Sequence, residues 1–120
     1  MFKSIRSLAV YVSDMERAKK FYTDLFGWKI EKTPEMDYWM VTTSGEKQVD
    51  GGMMKRQDPQ QQITNYIDVP SIDEHAAKVE KLGGKVVVPK APVPGFGWFA
   101  VCLDTENNAF ALWQNDKNAK

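Results

Sequence analysis

Histidine and cysteine, from which most metal centres and nucleophilic sites are built, are nearly missing: the 120 residues hold one of each, His75 and Cys102. A catalytic divalent metal needs about three ligands of His, Cys or carboxylate type in fixed geometry, so the inventory already disfavours such a centre. A lone cysteine closes no internal disulfide, which fits a reducing compartment. Charge of one sign is also lacking. Sixteen basic and sixteen acidic residues cancel, leaving no long-range field to attract nucleic acid or an anionic membrane. The apolar runs are a few residues long, far short of a bilayer span. The start, MFKSIRSLAVYV, has neither the apolar core nor the cleavage site of a signal peptide. Two glycine pairs, Gly51-Gly52 and Gly83-Gly84, lack the spacing of a phosphate loop. These absences predict a cytoplasmic protein with no nucleic-acid and no membrane partner.

What is present is ordinary for a soluble domain: 42% hydrophobic and 27% charged residues, in a chain long enough to bury one core. The organising stretch is residues 8–27. Leu8, Val10 and Val12 alternate with Ala9 and Tyr11, the period of a half-buried strand. Asp14 is placed to cap a helix, on which Met15, Ala18, Phe21, Tyr22, Leu25 and Phe26 share one face, and Gly27 is placed to end it. A short strand follows, interrupted at Pro34. A third runs over roughly Asp37–Thr43, Ser44–Lys47 read as a turn, and Val49–Met54 as a fourth strand. Lys55–Gln62 has no apolar residue and reads as a surface linker.

The second half repeats the first. A shift of 57 carries Val10, Val12, Met15, Tyr22, Leu25 and Gly27 onto Ile67, Val69, Ile72, Val79, Leu82 and Gly84. Asp14 lands on Ser71, which with Glu74 makes a capping-box pattern. Farther on the shift becomes 59, and Trp39 meets Trp98 while Gly52 meets Ala111. Strand, cap, helix and glycine recurring together indicate duplication. The pattern predicts an α+β fold of two βαβββ modules, residues 1–56 and 62–115, in one domain.

The stretches VSDMERAKKFYTDLFGW and LDTENNAFALWQ resemble the glyoxalase/bleomycin resistance/dioxygenase superfamily, the vicinal oxygen chelate proteins. The resemblance covers nearly the whole chain. It implies two curved mixed sheets around a cleft, helices outside, and a homodimer. Metal enzymes of that family carry ligands at positions that fall here on Ser7, Gly52, Thr64 and Ala111. Serine and threonine hydroxyls are weak neutral ligands, and Gly and Ala offer none. The expectation is therefore no metal and no cofactor.

Alternation assigns the faces. Leu8, Val10 and Val12 should lie under a helix, with Ser7, Ala9 and Tyr11 facing the cleft. Ile67 and Val69 oppose Thr64, Tyr66 and Asp68, and Phe110 and Leu112 oppose Ala109, Ala111 and Trp113. Phe99, Val101 and Leu103, as the aliphatic face, oppose Trp98, Ala100 and Cys102. Trp39 joins Trp98 by repeat symmetry, and Asp50 and Met54 share a face with Gly52. The candidate ligand site is thus Ser7, Tyr11, Trp39, Asp50, Gly52, Met54, Thr64, Tyr66, Asp68, Trp98, Ala111 and Trp113. Small residues on the floor and aromatics on the walls suit a small planar organic molecule. The same aromatics also suit a plain core or a dimer contact. Asp50 and Asp68 either bond to a ligand or end strands in water. His75 lies in a predicted helix with no partner for acid–base work, and Cys102 reads as a small hydrophobe. The loop Pro89–Gly97 either crosses the cleft mouth or merely joins two strands. Two functions follow: metal-free binding, including sequestration, or a divalent-metal lyase, isomerase or dioxygenase.

Overall fold

Asp14 opens the first helix as its position predicts, accepting a 3.0 Å hydrogen bond from the Arg17 backbone N–H. Gly27, at φ 74°, closes it and donates its N–H to the Thr23 carbonyl at 2.8 Å. Between them runs α1, Met15–Phe26, preceded by β1, Ile5–Val12. β2 (Lys29–Lys32), β3 (Tyr38–Thr42) and β4 (Asp50–Lys55) complete one βαβββ order. The same order returns as β5 (Thr64–Asp68), α2 (Ile72–Lys81), β6 (Lys85–Val93), β7 (Gly97–Leu103) and β8 (Ala109–Asn115). The computed structural model describes residues 5–33, 38–43 and 49–120. Pro34, Asp37 and the turn expected at Ser44–Lys47 lie outside the described residues.

The chain forms two compact units, Ser7–Ile63 and Thr64–Lys120, with Arg6 grouping with the second. In the first the strand order is β2-β3-β4-β1, with β1 and β4 parallel and the other pairs antiparallel. In the second it is β5-β8-β7-β6, with β5 and β8 parallel. The segment between them is an exposed turn in which Gln61 accepts from the Gln57 and Asp58 backbone N–H groups.

Each sheet buries one face under its own helix. In the first unit Val10, Ile30, Trp39, Val41 and Met53 form the core, packed by Leu8, Val12, Met15, Ala18, Tyr22 and Trp28. The aliphatic face of β1 therefore lies under α1, as alternation predicts. The helix stripe is narrower than expected: Met15, Ala18 and Tyr22 pack, while Phe21, Leu25 and Phe26 remain more than half exposed. The inward positions follow a three-then-four spacing, and Phe21 and Leu25 lie one step further round.

In the second unit Val69, Ile72, Ala100, Cys102 and Leu112 form the core, with Ala76, Val79, Val86, Trp98 and Phe110 against it. Ser71 caps α2 by accepting from the Glu74 N–H at 3.2 Å. The left-handed residue that ends this helix is Gly83, at φ 97°, one place before the glycine that the repeat alignment selects. Residues 89–93, expected in a loop, belong to β6, and the turn is confined to Pro94, Gly95 and Phe96. Prolines are tolerated there because β6 is the edge strand of its sheet, with register shifts between Val86 and Ala91. No described helix is long and apolar enough to cross a membrane.

Met53 and Ile72 have no solvent exposure. Truncating either to alanine removes packed atoms and leaves a cavity, so Met53→Ala and Ile72→Ala should each cost about 2–5 kcal/mol of stability, read from urea unfolding.

Candidate functional site

The face of each sheet turned away from its helix is set by register. In the first unit the β1–β4 ladder pairs Ser7 with Asp50, Ala9 with Gly52 and Tyr11 with Met54. Antiparallel β3 adds Tyr38 opposite Met54 and Met40 opposite Gly52. Directly paired residues share a face, so Ser7, Tyr11, Asp50, Gly52 and Met54 lie together on the open side, as expected. Asp50 reaches back to the end of β3, where its Oδ1 accepts from the Thr43 N–H at 3.0 Å and the Thr43 hydroxyl at 3.4 Å. The Arg56 guanidinium donates to the Tyr11 carbonyl at 2.9 Å and fixes the end of β1.

In the second unit Tyr66 pairs with Ala111 and Asp68 with Trp113. Thr64, buried at 4% exposure, lies on the same side. β7 contributes Val101 opposite Ala111 and Phe99 opposite Trp113. The Arg6 guanidinium lies 5.4 Å from the centre of the Trp113 ring and 3.5 Å from the Asp68 carboxylate. The indole N–H of Trp113 donates to Asn115 at 2.8 Å. Gly97 leaves room for this ring, since a Cβ there would stand 2.8 Å from it.

Two of the predicted wall residues lie on the other side. Trp39 belongs to the core under α1, with the Lys19 ammonium 5.6 Å from its ring centre. Trp98 packs under α2 beside Ala100 and Cys102, and its indole N–H donates to Asp116 at 3.0 Å. The repeat equivalence of the two tryptophans is sound; their common face was assigned the wrong way. The bulkier aliphatic residues of β7 are not its helix-facing set. Ala100 and Cys102 are fully buried because a helix seats closely only over small side chains, which leaves Phe99, Val101 and Leu103 to the open face. By the same inversion Tyr38, not Trp39, is the open-face aromatic of β3. Phe99, Tyr38 and Arg6 are the residues that alternation alone missed. The glycine at position 52 was the available signal for Tyr38, because it left space for a ring.

The residues at the family's ligand positions do not fit a metal. Gly52 has no side chain, and a Cβ built there would overlap the ring of Tyr38. Ala111 offers no donor and is fully buried. Ser7 and Thr64 supply only neutral hydroxyls. Among the described residues no three of His, Cys, Asp and Glu converge as a metal site. His75 directs its Nδ1 to the Ser71 carbonyl at 2.9 Å, within its own helix turn. Burial pushes the Tyr38 phenol above its ordinary range, so it remains a neutral donor at neutral pH.

A family model described as bleomycin resistance protein-like N-terminal matches residues 7–44. A glyoxylase-like domain-containing protein of the fungus Didymella fabae is 32% identical over 119 residues, covering 90% of this chain and 91% of that protein. CFP32 of Mycobacterium bovis, which carries the glyoxylase name, is 33% identical over 113 residues. That match covers 88% of this chain but only 43% of the mycobacterial protein, so the chain spans less than half of that relative. A superfamily member from Vibrio splendidus superposes with a TM-score of 0.68 at 13% identity, over 95% of this chain and all of that one. The Mn(II)-bound glyoxalase of Novosphingobium aromaticivorans superposes at 0.66 with 19% identity, over 98% of this chain and 41% of that one. At such identities the structural likeness establishes the fold alone.

The two consecutive glycines of β4 differ in what faces them. A Cβ at Gly51 would overlap the Leu8 carbonyl, which is backbone and cannot yield, whereas at Gly52 it meets the mobile end of a side chain. Gly51→Ala should therefore destabilise markedly more than Gly52→Ala in denaturant unfolding. Cys102 gives a pH prediction. Burial, reinforced by Glu80, pushes its thiol from the ordinary 9.0 to about 11. Between those values the unfolded chain loses the proton while the folded chain keeps it, so stability falls as pH rises. Cys102→Ala should lose less stability than wild type over that interval.

Proposed function

Since the chain belongs to the glyoxalase/bleomycin resistance/dioxygenase superfamily, we propose that it binds a small planar organic molecule on the open faces of its sheets, without a metal. One observation carries the reading: the ligand positions of the family are filled by groups that cannot hold a divalent ion, while aromatics surround them. Tyr11, Tyr38 and Met54 share a face with Gly52 in one unit, and Tyr66, Phe99 and Trp113 share a face with Ala111 in the other. Flat apolar surface with a few polar edges favours a flat ligand, each aromatic contact contributing about 0.5–1.5 kcal/mol beyond area burial. Holding such a compound without converting it amounts to sequestration. The rival reading is a lyase, isomerase or dioxygenase dependent on a divalent metal, favoured by the Mn(II)-bound glyoxalase among proteins of like fold. It requires ligands that the described residues do not assemble.

A compound screen on purified protein, read by thermal shift and tryptophan fluorescence with metal content measured on the same sample, separates the two. Ligand saturation stabilises the protein by mass action, and the expected metal content is well below one ion per chain. One bound ion per chain, with destabilisation on chelation, would establish the rival. Trp113 should carry the fluorescence response. Trp113→Phe should remove most of it, and Trp98→Phe should leave it, because Trp98 lies under α2. The reading also includes a homodimer, for which light scattering should give twice the 13.7 kDa chain mass.

A further inference from the structure

Gly52 and Tyr38 form a matched pair on the open face of the first sheet. Tyr38 stands opposite Met54 and Met40 opposite Gly52, so Tyr38 and Gly52 are diagonal neighbours on one face. The ring leans along the strand until its hydroxyl end lies directly above the Gly52 backbone, in the space where a side chain at position 52 would begin. That position is one at which the family resemblance places a metal ligand. The space is filled from the neighbouring strand by a phenol.

We infer that the Tyr38 hydroxyl donates a hydrogen bond to an oxygen of the bound molecule, standing in place of the metal as the group that polarises it. The ligand class is accordingly a planar molecule bearing a carbonyl or phenolate oxygen. This rests on the binding function proposed above and adds the polar contact to it. A bound metal acts on an oxygen as a Lewis acid, and a positioned tyrosine O–H exerts the same pull in weaker form. The surroundings favour the donor role. Burial keeps the phenol protonated at neutral pH. The nearer acid of this face, Asp50 on β4 itself, has its Oδ1 engaged by Thr43. Ser7, Ala9, Tyr11 and Met54 add no formal charge beside the ring, and at the outer strand β2 the two charges of this face, Lys29 and Glu31, pair with each other at 2.9 Å. A hydrogen bond to a charged acceptor in such a setting is worth at least about tenfold in affinity.

The test uses 4-nitrophenol, at a pH where it is ionised, and nitrobenzene, which lacks the phenolate oxygen and its charge, so that the preference lost in Tyr38→Phe, rather than the preference itself, reads the hydroxyl. Binding is measured by calorimetry on wild type and on Tyr38→Phe, which keeps the ring over Gly52; thermal unfolding confirms that the variant is folded. Wild type should bind the phenolate about tenfold more tightly than nitrobenzene, and Tyr38→Phe should bind the two alike. If Tyr38→Phe retains the preference, or wild type shows none while binding both, the assignment of Tyr38 is wrong and planar-ligand binding stands. If neither compound binds wild type, the assignment falls together with the binding function.

Discussion

The parallel contact of β1 with β4 is the constraint on which the first unit depends. At Gly51 the backbone of β1 comes so close that the Leu8 carbonyl fills the place of a side chain. On the facing side, at Gly52, the gap is taken by a ring from β3. The two glycines thus serve opposite sides of one strand: one closes the sheet beneath the helix, the other shapes the floor of the open face. The corresponding ladder of the second unit sets Ala111 against Tyr66. The two modules differ here, glycine in one and alanine in the other, at equivalent positions of the repeat.

Helices dictate the rest. α2 rests on Ala100 and Cys102, and the close seat commits β7, through its pairing with β8, to present Phe99 and Val101 on the open side. In the first unit Trp39 and Met53 fill the wider space under α1. The tryptophans of the two modules thus act as margins of the cores, pinned by Lys19 in one case and by Lys90, 4.8 Å from the ring, and Asp116 in the other. The faces turned away from the helices carry tyrosines, Phe99, Val101, Met54, one tryptophan and small residues.

Local signals were legible in the amino-acid sequence. Asp14, Ser71 and Gly27 act within a few residues of where they stand, and each does what its chemistry dictates. The order of elements and its repetition were legible for the same reason. The faces of β3 and β7 were not. Alternation divides a strand into two sets without saying which set meets the helix, and bulk proved the wrong criterion at Ala100 and Cys102. Tyr38 was hidden differently: its place depends on a diagonal neighbour across β4, a relation that appears only once register is known. The poor fit of positions 52 and 111 to a metal was legible directly, since Gly and Ala have no side-chain donor in any geometry.

The edge strand β6 has a further consequence. An exposed edge offers unpaired N–H groups on which a foreign strand can build. Pro89 and Pro92 carry no such donor, and the shifts of register between Val86 and Ala91 break the straight ladder that an incoming strand would need. At the edge of the other unit β2 is only four residues long, and three of them, Lys29, Glu31 and Lys32, are charged. A neutral chain with Val87, Val88 and Phe96 exposed has little electrostatic repulsion to keep its copies apart. Proline, shifted register and charge therefore act at these two strands against intermolecular β-addition.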